Sequence, residues 1–353
     1  MKNNFEKNHS PSPFSRHFSR PLLISFLAMS LVACSKGVGG SPELVGNPSS
    51  TSPGGVGVSS TNAGSQNNFD FGNQISVQKM IYHVGPVDLP AGQSVDVMLD
   101  KPAILRFQVT EPVWVIGFEP KVINGDGKAL TGQLLYKALV VNKHESNPVC
   151  ASGNSGNPFA VATSTLTKVE LPEGFGYPIL PKDPLEAKVV FHNPTDKDYS
   201  GVVFSFEIQA IPMEKGKGIS DVKAMLLDTD PCNHKPIAIE PGAFVEKSHT
   251  FTIPNNGNLM VANGLLSDYG VAVSLTHQEG DKASLVPFWR AEATLDETHR
   301  IIDLTPNPFI DPAGKKIAQG DKLTLGVSFD NFSEKWHNEA TGSAMVYLAP
   351  SDK

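Results

Sequence analysis

From about residue 75 onward the chain alternates short apolar stretches with clusters of Pro, Gly, Asn and Asp. In the first half these stretches are 95–99, 104–109, 113–118, 134–141, 188–192 and 202–211, each rich in Val, Ile, Leu or Phe. The second half continues with 222–227, 244–253, 258–266, 271–276, 285–292, 322–329 and 344–348. β-Branched and aromatic residues in runs of this length, bounded by turn formers, predict β-strands. No long segment repeats apolar residues at the helical period, so the crossover helices that a parallel sheet requires are not expected. The predicted class is all-β, with antiparallel strands. So many strands, spread over about 275 residues, exceed one sandwich, and two are expected. Pro212 and the run Lys215-Gly216-Lys217-Gly218 interrupt the pattern, which places the domains at 75–213 and 214–353.

Before residue 75 the pattern is different. Lys2, Lys7, Arg16 and Arg20 precede the apolar run 21–31, which is too short to span a bilayer and has the shape of a secretory h-region. Leu31-Val32-Ala33-Cys34 closes that run as a bacterial lipoprotein signal closes. Residues 1–33 are therefore expected to be removed as a signal peptide and Cys34 to be lipidated. Ser35, not Asp, follows the cysteine, which fits onward sorting to the outer membrane. The expected location is the bacterial cell envelope, on a lipid anchor. Residues 34–74 continue as Gly, Ser, Asn, Pro and Thr with scattered Val, a composition that cannot bury enough apolar surface to fold. As a flexible linker of roughly 40 residues it would reach about 35 Å.

The chain carries 29 Lys and Arg against 36 Asp and Glu, a net charge of −7. The leader holds four basic residues and one acidic residue, Glu6, so its loss leaves the remainder more acidic still. That balance argues against nucleic acid as a partner. Of the three cysteines Cys34 is committed to lipid, and Cys150 and Cys232 are expected to form one disulfide in an oxidising compartment. A thiolate metal site is disfavoured because neither has a second Cys or a His at finger-like spacing. Gly-x-Ser-x-Gly, His-Glu-x-x-His and phosphate-binding glycine loops are all missing from the sequence, which sets aside the commonest hydrolase and nucleotide-dependent chemistries.

Several segments, in order, resemble the copper type II, ascorbate-dependent monooxygenases, the family of peptidylglycine α-hydroxylating monooxygenase and dopamine β-monooxygenase. Val113-Trp114-Val115-Ile116-Gly117-Phe118-Glu119-Pro120 is similar to the strand before that family's first ligand strand, and Leu134-Leu135-Tyr136-Lys137-Ala138-Leu139-Val140-Val141 to the ligand strand itself. Phe159-Ala160-Val161-Ala162 and Leu171-Pro172-Glu173-Gly174-Phe175-Gly176 resemble its Ala-rich strand and following turn. Lys188-Val189-Val190-Phe191-His192-Asn193 resembles the strand bearing a third histidine, and Lys197-Asp198-Tyr199-Ser200-Gly201-Val202 the segment after it. The resemblance implies two tandem eight-stranded jelly rolls, each contributing one copper to a shared cleft. It also implies ascorbate as reductant and hydroxylation of a substrate C–H bond with O2. Imidazole and thioether ligands suit that chemistry because they accept both Cu(I) and Cu(II).

Carried over residue by residue, the implied ligand set is incomplete. Tyr136-Lys137 stands where the family has adjacent histidines, leaving His192 at the first site. Val273-Ser274-Leu275-Thr276-His277 resembles the His-x-His strand with Leu275 in the first position, so His277 is the candidate there. Near the C-terminus Ser328-Phe329-Asp330-Asn331 matches a family segment, and the methionine ligand falls on Met345 or, in another register, on Ala340, with Met345 preferred. His83, His144, His234, His249, His299 and His337 are open as substitutes, His144 lying near the altered ligand strand and His337 preceding Met345, but simple solvation is the expectation for each. Two functions follow as expectations. One is an exported copper oxidoreductase with a rearranged ligand set, holding at most one weakly bound copper. The other is a non-catalytic envelope lipoprotein that keeps the paired sandwiches to bind a small-molecule or peptide ligand, or as a structural element.

Overall fold

A computed structural model describes residues 76–150, 156–231, 235–280 and 286–351, all within one compact unit spanning Gly54–Lys353. Its first half contains β1 (Gln78–Leu89), α1 (Val95–Leu99), β2 (Ala103–Phe107), β3 (Val113–Ile123), β4 (Leu135–Asn142), β5 (Asn157–Ala162), β6 (Val169–Glu170), β7 (Phe175–Ile179), β8 (Leu185–Phe191), β9 (Tyr199–Pro212) and β10 (Ser220–Asp221). The second half contains β11 (Lys223–Asp228), β12 (Ile237–Ile239), β13 (Phe244–Thr252), β14 (Gly257–Leu266), β15 (Gly270–Gln278), β16 (Trp289–Leu295), β17 (Ile301–Thr305), β18 (Phe309–Ile317), β19 (Lys322–Asp330), β20 (His337–Ala340) and β21 (Gly342–Pro350).

The all-β class is observed, and so is its finer topology. In the first half β1-β9-β3-β7 form one sheet, extended by β6 and β10, and β2-β8-β4-β5 form the sheet facing it. In the second half β11-β21-β14-β18 face β13-β19-β15-β16, with β17 added at the edge. Counting the eight principal strands of each half in chain order, both read 1-8-3-6 on one sheet and 2-7-4-5 on the other, which is a jelly roll. The crossover between the two lies in residues 213–222, with β10 still paired to β7 of the first.

The repeat extends to individual loops. Asn193 and Asn331, both fully buried, follow the seventh principal strand of their halves in Phe191-His192-Asn193-Pro194-Thr195-Asp196-Lys197 and Phe329-Asp330-Asn331-Phe332-Ser333-Glu334-Lys335. Asn193 Nδ2 donates to the carbonyls of Leu89, Pro90 and Lys197, and Asn331 Nδ2 to those of Ile239, Glu240 and Lys335. Their Oδ1 atoms accept from the backbone and hydroxyl of Thr195 and of Ser333. One buried amide thus closes the loop and ties it to the turn after the first principal strand in the first jelly roll, and to the turn after β12 in the second. A second correspondence concerns the opposite end: Asn142 bonds Asp183 in the first jelly roll where His277 bonds Asp321 in the second. Asn142 pairs with Leu185 and His277 with Leu323, each two residues beyond the aspartate, so the positions are equivalent.

The halves share apolar core. Ala224 and Leu226 of β11, Met260 and Leu265 of β14, and Met345, Tyr347 and Ala349 of β21 pack with the interior of the first jelly roll. Their alternate neighbours Met225, Leu227, Ala344, Val346 and Leu348 pack into the second. A sheet covered on both faces carries continuous apolar runs, which is why β14 and β21 show no in–out alternation. Strand β5 lies against this sheet: Tyr347 Oη donates to Phe159 O at 2.6 Å and Asn157 Nδ2 to Ala224 O at 3.0 Å.

Several strand predictions need correction. Residues 95–99 form the short helix α1, because Val95, Met98 and Leu99 follow helical spacing and bury together against Tyr136 and Val190. The strand expected at 285–292 begins at Trp289. Strands β1, β6, β7, β10, β12, β17, β18 and β20 lie outside the runs that the sequence pattern predicts. β18 carries Pro312 and Gly314 and sits at a sheet edge, where a missing N–H is tolerated.

Candidate functional site at the seam between the jelly rolls

The turns that leave β8 in the first jelly roll and those joining β14 to β15, β16 to β17 and β19 to β20 in the second converge on a half-buried polar cluster. Its centre is Arg300, whose guanidinium reaches out of the second jelly roll to the first. It donates to the Pro194 carbonyl and, at 3.5 Å, to Gln133 Oε1. Gln133 Nε2 answers to Asp296 Oδ2 at 3.4 Å, and Asp296 also caps its own turn by accepting from the backbone of Thr298 and Arg300. Asp268 Oδ1 accepts from the Ile301 backbone at 3.1 Å.

Two histidines complete the cluster. His192 is 8% exposed, hydrogen-bonded to the Gln133 backbone and set edge-on to the Tyr136 ring at 5.8 Å. Burial, with Arg300 and His337 nearby, pushes its pKa down to about 4 against that backbone bond. Burial likewise lowers His337 to about 4, opposed by a bond to the Asp268 backbone, and its Nε2 is buried without a hydrogen-bond partner. Burial pushes Asp268 up to about 6, against the Ile301 N–H and Arg300. Both imidazoles are therefore neutral near pH 7.

An aromatic rim continues from this cluster to the surface. Tyr269 packs on His337 at 4.5 Å and stacks on His299 at 5.7 Å, and His299 meets Phe332 at 5.3 Å. Tyr269 and His299 hold left-handed backbones, φ 64° and 61°, uncommon for side-chain-bearing residues and enriched where a site must be shaped. Phe332 and Trp336 are 64% and 56% exposed, on the loop that Asn331 closes. A pair of exposed aromatic rings on a hydrogen-bonded loop presents apolar area at little ordering cost.

The residues expected to hold copper are not brought together. His277 lies on β15 with Nε2 2.9 Å from Asp321 Oδ2, the duty performed by Asn142 in the first jelly roll. Met345 is on the opposing sheet, and its side chain points away from that sandwich into the core shared with the first half. A full core layer, about 10 Å between sheets, thus separates the two. The alternative register gives Ala340, fully buried and without a donor atom. His192 sits beside a guanidinium, an unfavourable neighbour for a cation. Lys137, in the position of a family histidine, is buried with Nζ 3.4 Å from Asp228 Oδ2. Among the described residues no group of three or more His, Cys, Asp and Glu is placed to hold a metal ion. The donor set does not fit a copper centre.

Cys34 and Cys232 lie outside the described residues, as do the leader and the linker. Cys150 is buried after β4 and is disulfide-bonded. Sequence reasoning singled out His192 but not Gln133, Asp268, Tyr269, Asp296 or Arg300, and it set His299 and His337 aside. The repeated Asn-x-Thr/Ser-x-Lys loops are a signal that could have pointed there, since Pro194 on one accepts from Arg300 and Phe332 on the other meets His299.

No protein-family model and no curated protein matches the chain. Among solved structures, the extracellular domain of ANXUR2 from Arabidopsis thaliana is similar at 11% identity, over 75% of this chain and 88% of that one, with a TM-score of 0.19. The ANX1 ectodomain from the same plant matches at 9% identity, over 76% and 82% of the two chains, with a TM-score of 0.18. At such scores the likeness carries no argument about this protein.

Proposed function

We propose that this chain is a lipid-anchored lipoprotein of the bacterial cell envelope whose paired jelly rolls serve as a non-catalytic binding module. The observation that supports it is the duty each would-be copper ligand already has. His277 fixes a turn through Asp321, Met345 fills shared core, and His192 packs into the seam. Binding is supported by the aromatic rim of Tyr269, His299 and Phe332 beside that seam, with Trp336 exposed just after the same loop. Cys34 supplies the anchor and residues 35–74 the tether. A Cys150–Cys232 disulfide belongs to the same proposal, because Cys34 is committed to lipid and Cys150 is disulfide-bonded.

Elemental analysis of purified protein, with oxygen uptake in the presence of ascorbate, tests the reading. The expected result is no stoichiometric copper and no ascorbate-dependent uptake. Two coppers per chain, lost on His192→Ala, would establish an active monooxygenase instead. Quenching of Trp336 fluorescence, titrated with oligosaccharide and peptide probes against a Trp336→Phe control, reads the binding face directly. A binding module gives a saturable response with at least one probe class, and no response with either counts against it.

A further inference from the structure

The two halves are joined by shared apolar core, with Tyr347 Oη to Phe159 O, Asn157 Nδ2 to Ala224 O and the Lys137–Asp228 ion pair around it, and they meet again at the polar cluster of the seam. Shared core from β11, β14 and β21 forms the apolar contact. The polar contact is Arg300 with Gln133 and Pro194, together with Val95 N, which donates to Glu339 Oε1 at 3.1 Å, and Tyr136 Oη, which donates to Glu339 O at 3.1 Å. We propose that this polar cluster is an acid-operated latch: protons taken up by His192 and His337 set two further cations beside Arg300, and the polar end of the seam opens while the apolar end stays packed.

The groups facing the two imidazoles decide the sign. His192 faces Arg300 and His337 from the second jelly roll, and Gln133 and the Tyr136 ring from its own. His337 faces Tyr269 and the Asp268 backbone. Asp268 and Asp296 are the carboxylates near Arg300. Asp296 is held below the usual range, because hydrogen bonds from Thr298 and Arg300 outweigh the desolvation that would raise it, so it remains ionised through mild acid. Asp268 has its pKa raised to about 6, so it takes up its proton first; because it holds that proton more tightly closed than open, this step favours the closed state and offsets part of the drive from the histidines. The histidines follow. The two imidazoles then add positive charge beside Arg300, and His192, the buried member, is the least able to have it screened by water. Opening lets water reach the imidazoles and restores their ordinary basicity, so the protons drive the motion.

The latch goes beyond the binding reading and shares only its location: an opened seam would expose Tyr136 and α1 beside the aromatic rim. Hydrogen exchange, corrected for intrinsic rate at each pH and read without ligand, tests it separately from binding. Between pH 7 and 4 the wild type should lose protection at least tenfold in segments 131–136 and 298–301, while β14 and β21 stay protected. In His192→Asn/His337→Asn the loss should fall below twofold. Should the double variant fold poorly, Arg300→Gln offers a second reading, since removal of the permanent cation should move the opening to lower pH. Unchanged protection in wild type at pH 4, equal loss in the double variant, or an opening unmoved by Arg300→Gln would each overturn the proposal.

Discussion

Substituting His277 separates the two accounts of that residue. In the structure its Nε2 is 2.9 Å from Asp321 Oδ2, which also accepts from the Ala318 backbone at 2.9 Å, while Oδ1 accepts from Gly280 at 3.1 Å. Hydrogen bonds to a buried charged group contribute roughly 1.5–3 kcal/mol. His277→Ala leaves the carboxylate with two donors, and a loss of about 2–3 kcal/mol is expected. His277→Asn installs what the first jelly roll already uses, where Asn142 Nδ2 reaches Asp183 Oδ2 at 3.3 Å. Its cost should be about 1 kcal/mol or less, the size of one net neutral hydrogen bond. At roughly 2–4 °C per kcal/mol for a chain of this size, the Tm should fall by about 4–12 °C for Ala and by at most about 4 °C for Asn. Burial acts to raise the Asp321 pKa, but bonds from Ala318, His277 and Gly280 lower it overall. A depressed carboxylate gives stability that is present above its unfolded pKa and lost as pH falls through the folded one. Acid unfolding of His277→Ala should accordingly begin at higher pH than that of His277→Asn. If Asn destabilises as much as Ala, or if both variants lose bound copper, the scaffold account of His277 is refuted.

Three further outcomes are expected. His192 and His337 have folded pKa values near 4 against 6.5 unfolded, so their contribution is complete above pH 6.5 and lost as pH falls toward 4. Asp268, raised to about 6, runs the other way and offsets part of it, leaving a net loss on the order of 3–4 kcal/mol across that window, which His192→Asn/His337→Asn should reduce in a pH series of urea unfolding curves. Tyr347→Phe removes the 2.6 Å bond to Phe159 O within the shared core and should cost roughly 1–2 kcal/mol with the urea m-value unchanged, whereas a lowered m-value would show that the halves unfold separately. Cys34→Ala should move the protein from the membrane to the soluble fraction, because stable anchoring takes two acyl chains, and detergent-phase partitioning equal to wild type would contradict lipidation.

The fold was largely legible because its physics is local. Short apolar runs between turn formers gave most principal strands, and the near-continuous runs at 258–266 and 344–348 mark the sheet buried on both faces. What escaped were elements whose sequence is atypical for their role: edge strand β18 with its Pro312 and Gly314, and α1, whose five residues fit strand or helix until Tyr136 and Val190 supply something for Val95, Met98 and Leu99 to pack on. The site was less legible than the fold for a different reason. A family pattern weighs residues by position along a strand, so His277 and Met345 are read as surviving ligands, yet their side chains are separated by a core layer that no strand-by-strand reading contains. Arg300, Asp268 and His337 come from three turns far apart in sequence, and each is an ordinary loop residue by itself. Only the pairing order, repeated in both halves, brings those turns beside His192, and burial then changes what an imidazole or a carboxylate there can do.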